Sequence, residues 1–187
     1  MLCLALLTSL LVSPAHAQEA PPAPPPAAQP AVPRFTRTAV GSCGCALYAP
    51  PGLVFDAPSK SEDGADVWTA EVTSDGWTFG AIVVRFAEPM SGSDGDALEG
   101  LLVSYMQFLQ SQAEVTGSAG VGRGHTHPEN PAARGVIDYW KDKGGQSWAV
   151  KGWVDSQRLA VLYVRGVGDY PYFSAQQMYL DGFRFTP

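Results

Sequence analysis

The sequence predicts an α+β domain: a central antiparallel sheet, one long helix between two β blocks, and a second helix near the C-terminus. Three observations carry that prediction. Turn signals divide residues 34–187 into β-rich segments, one stretch has helical apolar spacing, and the strand segments are apolar on both faces.

In the first β block, Asp75-Gly76 separates residues 66–72 from residues 77–87, both rich in Val, Trp, Thr and Phe. An Asp-Gly pair accepts the positive φ angles of a type I′ turn, so the two segments read as a hairpin. Ser93 or Asp94 is placed to cap the helix that follows, and Asp96 complements its dipole. Leu98, Leu101, Leu102, Tyr105, Phe108 and Leu109 fall on one helical face, with Glu99, Ser104, Gln107 and Gln110 away from it. In the second β block, Gly144-Gly145 is expected to turn 135–141 into 146–154 as Asp75-Gly76 does. Asp155-Ser156-Gln157 then leads into 158–167, completing an antiparallel meander. A shorter helix is expected from near Pro171 to about Leu180, ended by Gly182, with Phe183-Arg184-Phe185 as a closing apolar clasp. Leu159, Val161 and Tyr163 alternate with Ala160, Leu162 and Val164, all six apolar or aromatic. A sheet of that kind needs cover on both faces, which two helices can supply.

Of the 187 residues, 45% are hydrophobic and 16% charged, which supports a core and excludes a long coiled coil or disorder throughout. The net charge of −6 gives no general attraction to nucleic acid or to an anionic membrane. Residues 1–12, MLCLALLTSLLV, form an apolar run too short to cross a bilayer, and Ala15-His16-Ala17 follows with the A-x-A cleavage pattern. The expectation is a signal peptide at 1–17, hence a periplasmic or secreted protein with no transmembrane segment after cleavage. Residues 18–33, QEAPPAPPPAAQPAVP, read as a disordered Pro/Ala-rich linker, because proline removes donors and favours polyproline II. Residues 34–187 form a single α+β domain of ordinary size.

Tyr48-Ala-Pro-Pro-Gly-Leu-Val-Phe55 resembles the early segment of PsbP-type domains, where an aromatic, a Pro and a Gly lead into a strand. The closing run Leu180-Asp-Gly-Phe-Arg-Phe185, after a strand and a helix, is similar to their terminal clasp. The resemblance implies an α/β/α sandwich, PsbP-like, in which most members are binding or assembly modules. These include photosystem II accessory proteins, a Ran-binding nuclear import factor and exported bacterial proteins. Such a likeness does not specify a partner.

Two places hold residues with chemical potential. Cys43-Gly44-Cys45 contains the only cysteines beyond the leader, and an oxidising compartment favours a disulfide between them. A strained bridge would be a redox-active pair, whereas the plainer reading is a local clip or two small buried side chains. His125 and His127 alternate within GRGHTHPENPAARG, with Glu129 nearby. On an extended segment they share a face and suit zinc or copper, and with Cys43 and Cys45 they would complete a tetrahedral set. The surrounding Gly and Pro indicate a surface loop, where histidines are usually just exposed. Asp94, Asp96 and Glu99 lack the spacing of a calcium loop and read as a helix start. There is no G-x-S-x-G, and the glycines at 120, 122 and 124 do not follow a nucleotide-binding strand. The expectation is a non-catalytic exported binding or accessory module without a cofactor. It would bind an unknown protein or small ligand through a sheet face or the loops near 88–95 and 120–134. The alternative is a metal-binding or thiol redox protein using Cys43, Cys45, His125 and His127.

Overall fold

A computed structural model describes residues 34–90, 92, 94–170 and 173–185. The expected leader and linker lie outside the described residues, as do Ser93 and Pro171. Along the described chain come β1 (Thr36–Ala39), β2 (Cys45–Ala49), β3 (Ser59–Lys60), β4 (Asp66–Ser74), β5 (Trp77–Arg85) and α1 (Gly95–Gln112). They are followed by β6 (Val115–Ser118), β7 (Gly122–His127), β8 (Asn130–Asp142), β9 (Gln146–Val154), β10 (Arg158–Val167), α2 (Phe173–Leu180) and β11 (Phe183–Phe185). The fold is mostly-β α+β, with one helix between the β blocks and one near the C-terminus. Among the described residues no helix is long and apolar enough to cross a membrane.

The larger sheet has eight antiparallel strands in the order β3-β4-β5-β10-β9-β8-β6, and β7 also pairs with β8. Asp75 (φ 52°) and Gly76 (φ 79°) both adopt positive φ, so the β4–β5 hairpin closes through the turn its sequence predicts. Strands β8, β9 and β10 form the expected meander, and β10 pairs with β5 to join the two β blocks. The β8–β9 connection differs from expectation. Only Gly145 (φ 79°) has positive φ, and its N–H donates to Asp142 O at 3.0 Å. The loop is therefore three residues long and ends in a left-handed glycine. The Asp142 carboxylate stabilises it by accepting from Gln146 N at 2.9 Å.

Residues 120–134 are a second correction. The segment is not a loop: it contains β7 and the start of β8. Its glycines and Pro131 fall where the β7–β8 register shifts, so breaker residues at an irregular edge give a loop-like sequence to a paired strand. Nor does the Tyr48–Phe55 segment lead directly into a strand. Tyr48 lies in β2, residues 50–58 are not in a strand, and Leu53 packs into the core.

Alternation along the strands sends side chains to two cores. Phe79, Val83, Ala160 and Leu162 face a layer made by the antiparallel β1-β2-β11 sheet and α2, where Leu47, Tyr179, Leu180 and Phe183 meet them. Val150, Val154, Leu159 and Val161 face α1. Asp94 caps α1 by accepting from Ala97 N at 2.8 Å. Leu98, Leu102, Val103 and Met106 are its buried residues, whereas Phe108, expected on the buried face, is 54% exposed. Phe108 lies roughly 120° around the helix from Leu102, off the stripe that touches the sheet.

Three strand glycines make room for rings directly across the ladder. Gly80 pairs with Tyr163, Gly166 with Trp77 and Gly135 with Trp153. A Cβ at Gly80, Gly166 or Gly135 would come within 2.2, 2.6 and 2.4 Å, respectively, of the opposing ring. The glycine in each pair is the seat of an aromatic.

Candidate functional site

Cys43 and Cys45 form a disulfide, with Cα atoms 5.4 Å apart. Both residues are buried, at 4% and 3% exposure, in the core that contains Trp68 and Leu47. Arg85 Nη1 donates to Ser42 O at 2.7 Å, and Arg158 Nη1 donates to Gly44 O, so the cysteine loop is tied to one end of the central strands β5 and β10. Burial shields the bridge from solvent and so from an attacking thiolate.

His127 is 2% exposed, its ring edge-on to Trp153 and Phe185. Glu129 N–H donates to its Nδ1 at 3.2 Å, which leaves the proton on Nε2 to be donated to Phe183 O at 2.9 Å. His125 is half-buried on β7 opposite Gly135. The predicted quartet therefore has two sulfurs bonded to each other and one imidazole with both nitrogens engaged. Among the described residues no group of three or more His, Cys, Asp or Glu side chains is arranged to hold a metal ion. Glu99 accepts from Gly124 N at 2.8 Å and so links α1 to β7.

The polar groups that converge on a cavity lie elsewhere. Where α1 ends, it leaves part of the sheet uncovered, and a pocket of about 360 Å³ opens there. Its wall follows from strand register. Glu71, Gly80 and Tyr163 lie in one row across β4, β5 and β10, and Arg165, Trp148 and Trp140 lie in a row across β10, β9 and β8. Because Gly80 has no side chain, the Tyr163 ring lies over it and the phenol donates to Glu71. Arg165 Nη2 reaches both Glu71 carboxylate oxygens at 3.3 Å, and its guanidinium lies 4.9 Å over the Trp148 ring. Trp148 Nε1 donates to Asp142 at 2.9 Å, and its ring stacks near Tyr163 with centroids 5.2 Å apart.

Burial, then the Glu71 carboxylate, raises the Tyr163 phenol well above its ordinary range, so Tyr163 is a donor at neutral pH. For Asp142, desolvation acts upward. It is outweighed by hydrogen bonds from Trp148, Gln146 and Gly144 and by the Arg165 charge, so its carboxyl stays below the usual value. Neither group has the titration of a general acid or base poised near neutrality. Among the described residues that line this pocket there is no Ser, Cys, His or Lys.

On the opposite face a wider, open groove of about 650 Å³ is lined by Trp77, Tyr139, Ala149, Val164, Tyr170 and Phe173. It borders α2 through Phe173 and Gln176, and Ser118, Lys141, Ser147 and Asp169 add polar groups to its aromatic lining. None of Glu71, Tyr163 and Arg165 follows a motif with known spacing. The available signal was Gly80, an isolated glycine in a strand, which marks close approach by another group.

No family model matches the chain, and no curated protein matches its sequence. Among solved structures it is similar to the X-ray structure of an uncharacterized protein of Mycobacterium smegmatis, the Rv0999 ortholog, at 14% identity and a TM-score of 0.34. The match covers 72% of this chain and 65% of that one, less than two thirds of its length.

Proposed function

We propose that the protein is an exported, non-catalytic module that binds a small ligand in the pocket beside the end of α1. The observation that carries this reading is the convergence of Glu71, Tyr163, Arg165, Trp148 and Asp142 on one cavity. Ligand sites combine apolar and aromatic walls with a few fixed polar groups, and this wall has both. Each polar group is already held by a neighbour, which pre-organises it for recognition and leaves it unsuited to proton transfer. Export to the periplasm or beyond is supported by the apolar leader and A-x-A pattern, and an oxidised cysteine pair suits such a compartment. The frame would be a PsbP-like α/β/α sandwich, a reading supported by a sheet with a helix packed on each face.

The test is native mass spectrometry of the full chain recovered from its own cell envelope, alongside titration with an envelope small-molecule extract. A retained ligand that Arg165→Met abolishes, with the fold intact, supports the reading. Absence of any bound species, together with an unmoved Trp148 indole N–H resonance, refutes it. So does chemical turnover of the bound molecule.

A further inference from the structure

The geometry points to a neutral, polyhydroxylated ring, a sugar in chemical class, as the ligand of the pocket formed by Glu71, Asp142, Trp148, Tyr163 and Arg165. This rests on the reading of that pocket as the binding seat and goes on to name what it takes.

Charge is the first argument. Glu71 is paired with Arg165, and Glu114, also at the wall, is paired with Lys143 at 3.1 Å. Asp142 is held by N–H donors from Trp148 and Gln146. Glu71 and Glu114 are thus each paired with a cation, while Asp142 is solvated by neutral N–H donors. A cationic ligand would compete with Arg165 for Glu71, and an anionic one would meet Glu71 and Asp142.

Hydrogen-bonding capacity is the second. The Arg165–Glu71 pair is open to solvent, with side-chain exposures of 30% and 46%. A carboxylate can accept more bonds than Glu71 receives from Tyr163 and Arg165, and Asp142 likewise keeps lone pairs. Arg165 keeps donor capacity at the end of its guanidinium, where Nη2 meets Glu71 and a guanidinium carries further N–H groups. The amide of Gln112, at the end of α1, offers both a donor and an acceptor on the same wall. A hydroxyl also donates and accepts, which an ammonium or a carboxylate ligand cannot do. Neighbouring hydroxyls could therefore bridge Arg165 to Asp142 or Glu71 without disturbing the existing pairs.

Shape is the third. Trp148, half-buried beneath the Arg165 guanidinium, and the largely buried Trp140 and Tyr163 form an apolar floor with Ile82 and Leu109. A small ring can rest its C–H groups against the exposed parts of that floor while its hydroxyls turn to the polar wall.

The experiment titrates the full chain with glucose, galactose and their disaccharides, with choline and gluconate as charged counterparts. The readout is the Trp148 indole N–H resonance, whose proton is donated to Asp142 within the site. Saturable shifts with at least one neutral sugar are expected, weakened about tenfold or more by Arg165→Met. Gln112→Ala, on the exposed end of α1, is the second variant should Arg165→Met misfold, and it should weaken the same sugar. Tyr139→Ser, on the other face, should leave binding unchanged. If only choline or gluconate shifts Trp148, or if only the envelope extract does, the sugar assignment is overturned and the binding seat stands. If neither the probes nor the extract shift it, both are overturned.

Discussion

The two faces of the large sheet are built from alternate residues of the same strands, yet they solve different problems. Toward α2 and the small sheet the interior is aromatic and apolar, and its buried phenol, Tyr179, donates to Gly80 O at 2.8 Å. Toward α1 the apolar core stops where the helix does, and charged groups take over. The buried Asp138 belongs to this second face. Its carboxylate accepts from Gln110 of α1, Ser118 of β6, its neighbour's N–H at Tyr139 and the Trp140 indole, at 2.7–3.0 Å. One face is mainly apolar burial with a few buried hydrogen bonds, and the other adds to its apolar core a set of directed polar bonds that end in an accessible pocket.

The largest effect should come from breaking the dry face. Phe79→Ala removes a 1%-exposed ring packed against Tyr170 and Tyr179, and about 3–5 kcal/mol should be lost in urea unfolding. A loss below about 1 kcal/mol would mean that this face tolerates voids, and the contrast would collapse. On the polar face, Asp138→Ala leaves the buried Trp140 indole and part-buried donors on β6, β8 and α1 without their acceptor. About 2–3 kcal/mol should go, with early amide exchange in β6 and the end of α1. Unchanged exchange there would show that the carboxylate does not hold those elements together.

Cys43→Ser/Cys45→Ser should cost about 1.5 kcal/mol, because the bridge closes so short a loop. The native disulfide should react with reductant only as fast as the loop opens, which rates of thiol labelling against denaturant would show. The smallest change should be Tyr163→Phe, at about 1 kcal/mol, since the ring keeps its seat over Gly80 and only the bond to Glu71 is lost. It has a pH signature. Burial raises both Tyr163 and Tyr179 in the folded state, so the neutral phenols favour folding. That contribution is complete below the unfolded value near 10 and disappears as pH rises through the higher folded values. Thermal midpoints measured from pH 8 to 11 should be flat and then fall, less steeply in Tyr163→Phe. An identical fall in both proteins would remove Tyr163 from the account.

Much of the fold was legible because the signals were local. Asp75-Gly76 needs two positive φ angles and obtains them, and the spans of β9 and β10 match the expected strands residue for residue. Phe108 was misread because several registers of an apolar helix satisfy the same spacing, and only contact with the sheet selects the stripe through Leu102 and Met106. The site was less legible. His127 has the residue type of a ligand but serves as a buried hydrogen-bonding ring, and alternation on a strand cannot distinguish the two. Glu71, Tyr163 and Arg165 are distant in sequence and share no motif.

By itself, the sequence determined the α+β class, the hairpin, the meander, the helix between the β blocks and the apolar character of both sheet faces. Each depends on turn chemistry or on periods of 2 and 3.6 residues, which a short window contains. Only the tertiary structure decided that Gly80 is the gap through which Tyr163 reaches Glu71, and that Arg165 lies over Trp148. Those contacts depend on the register between strands far apart in the chain, and a shift of one residue would send every one of these side chains to the other face.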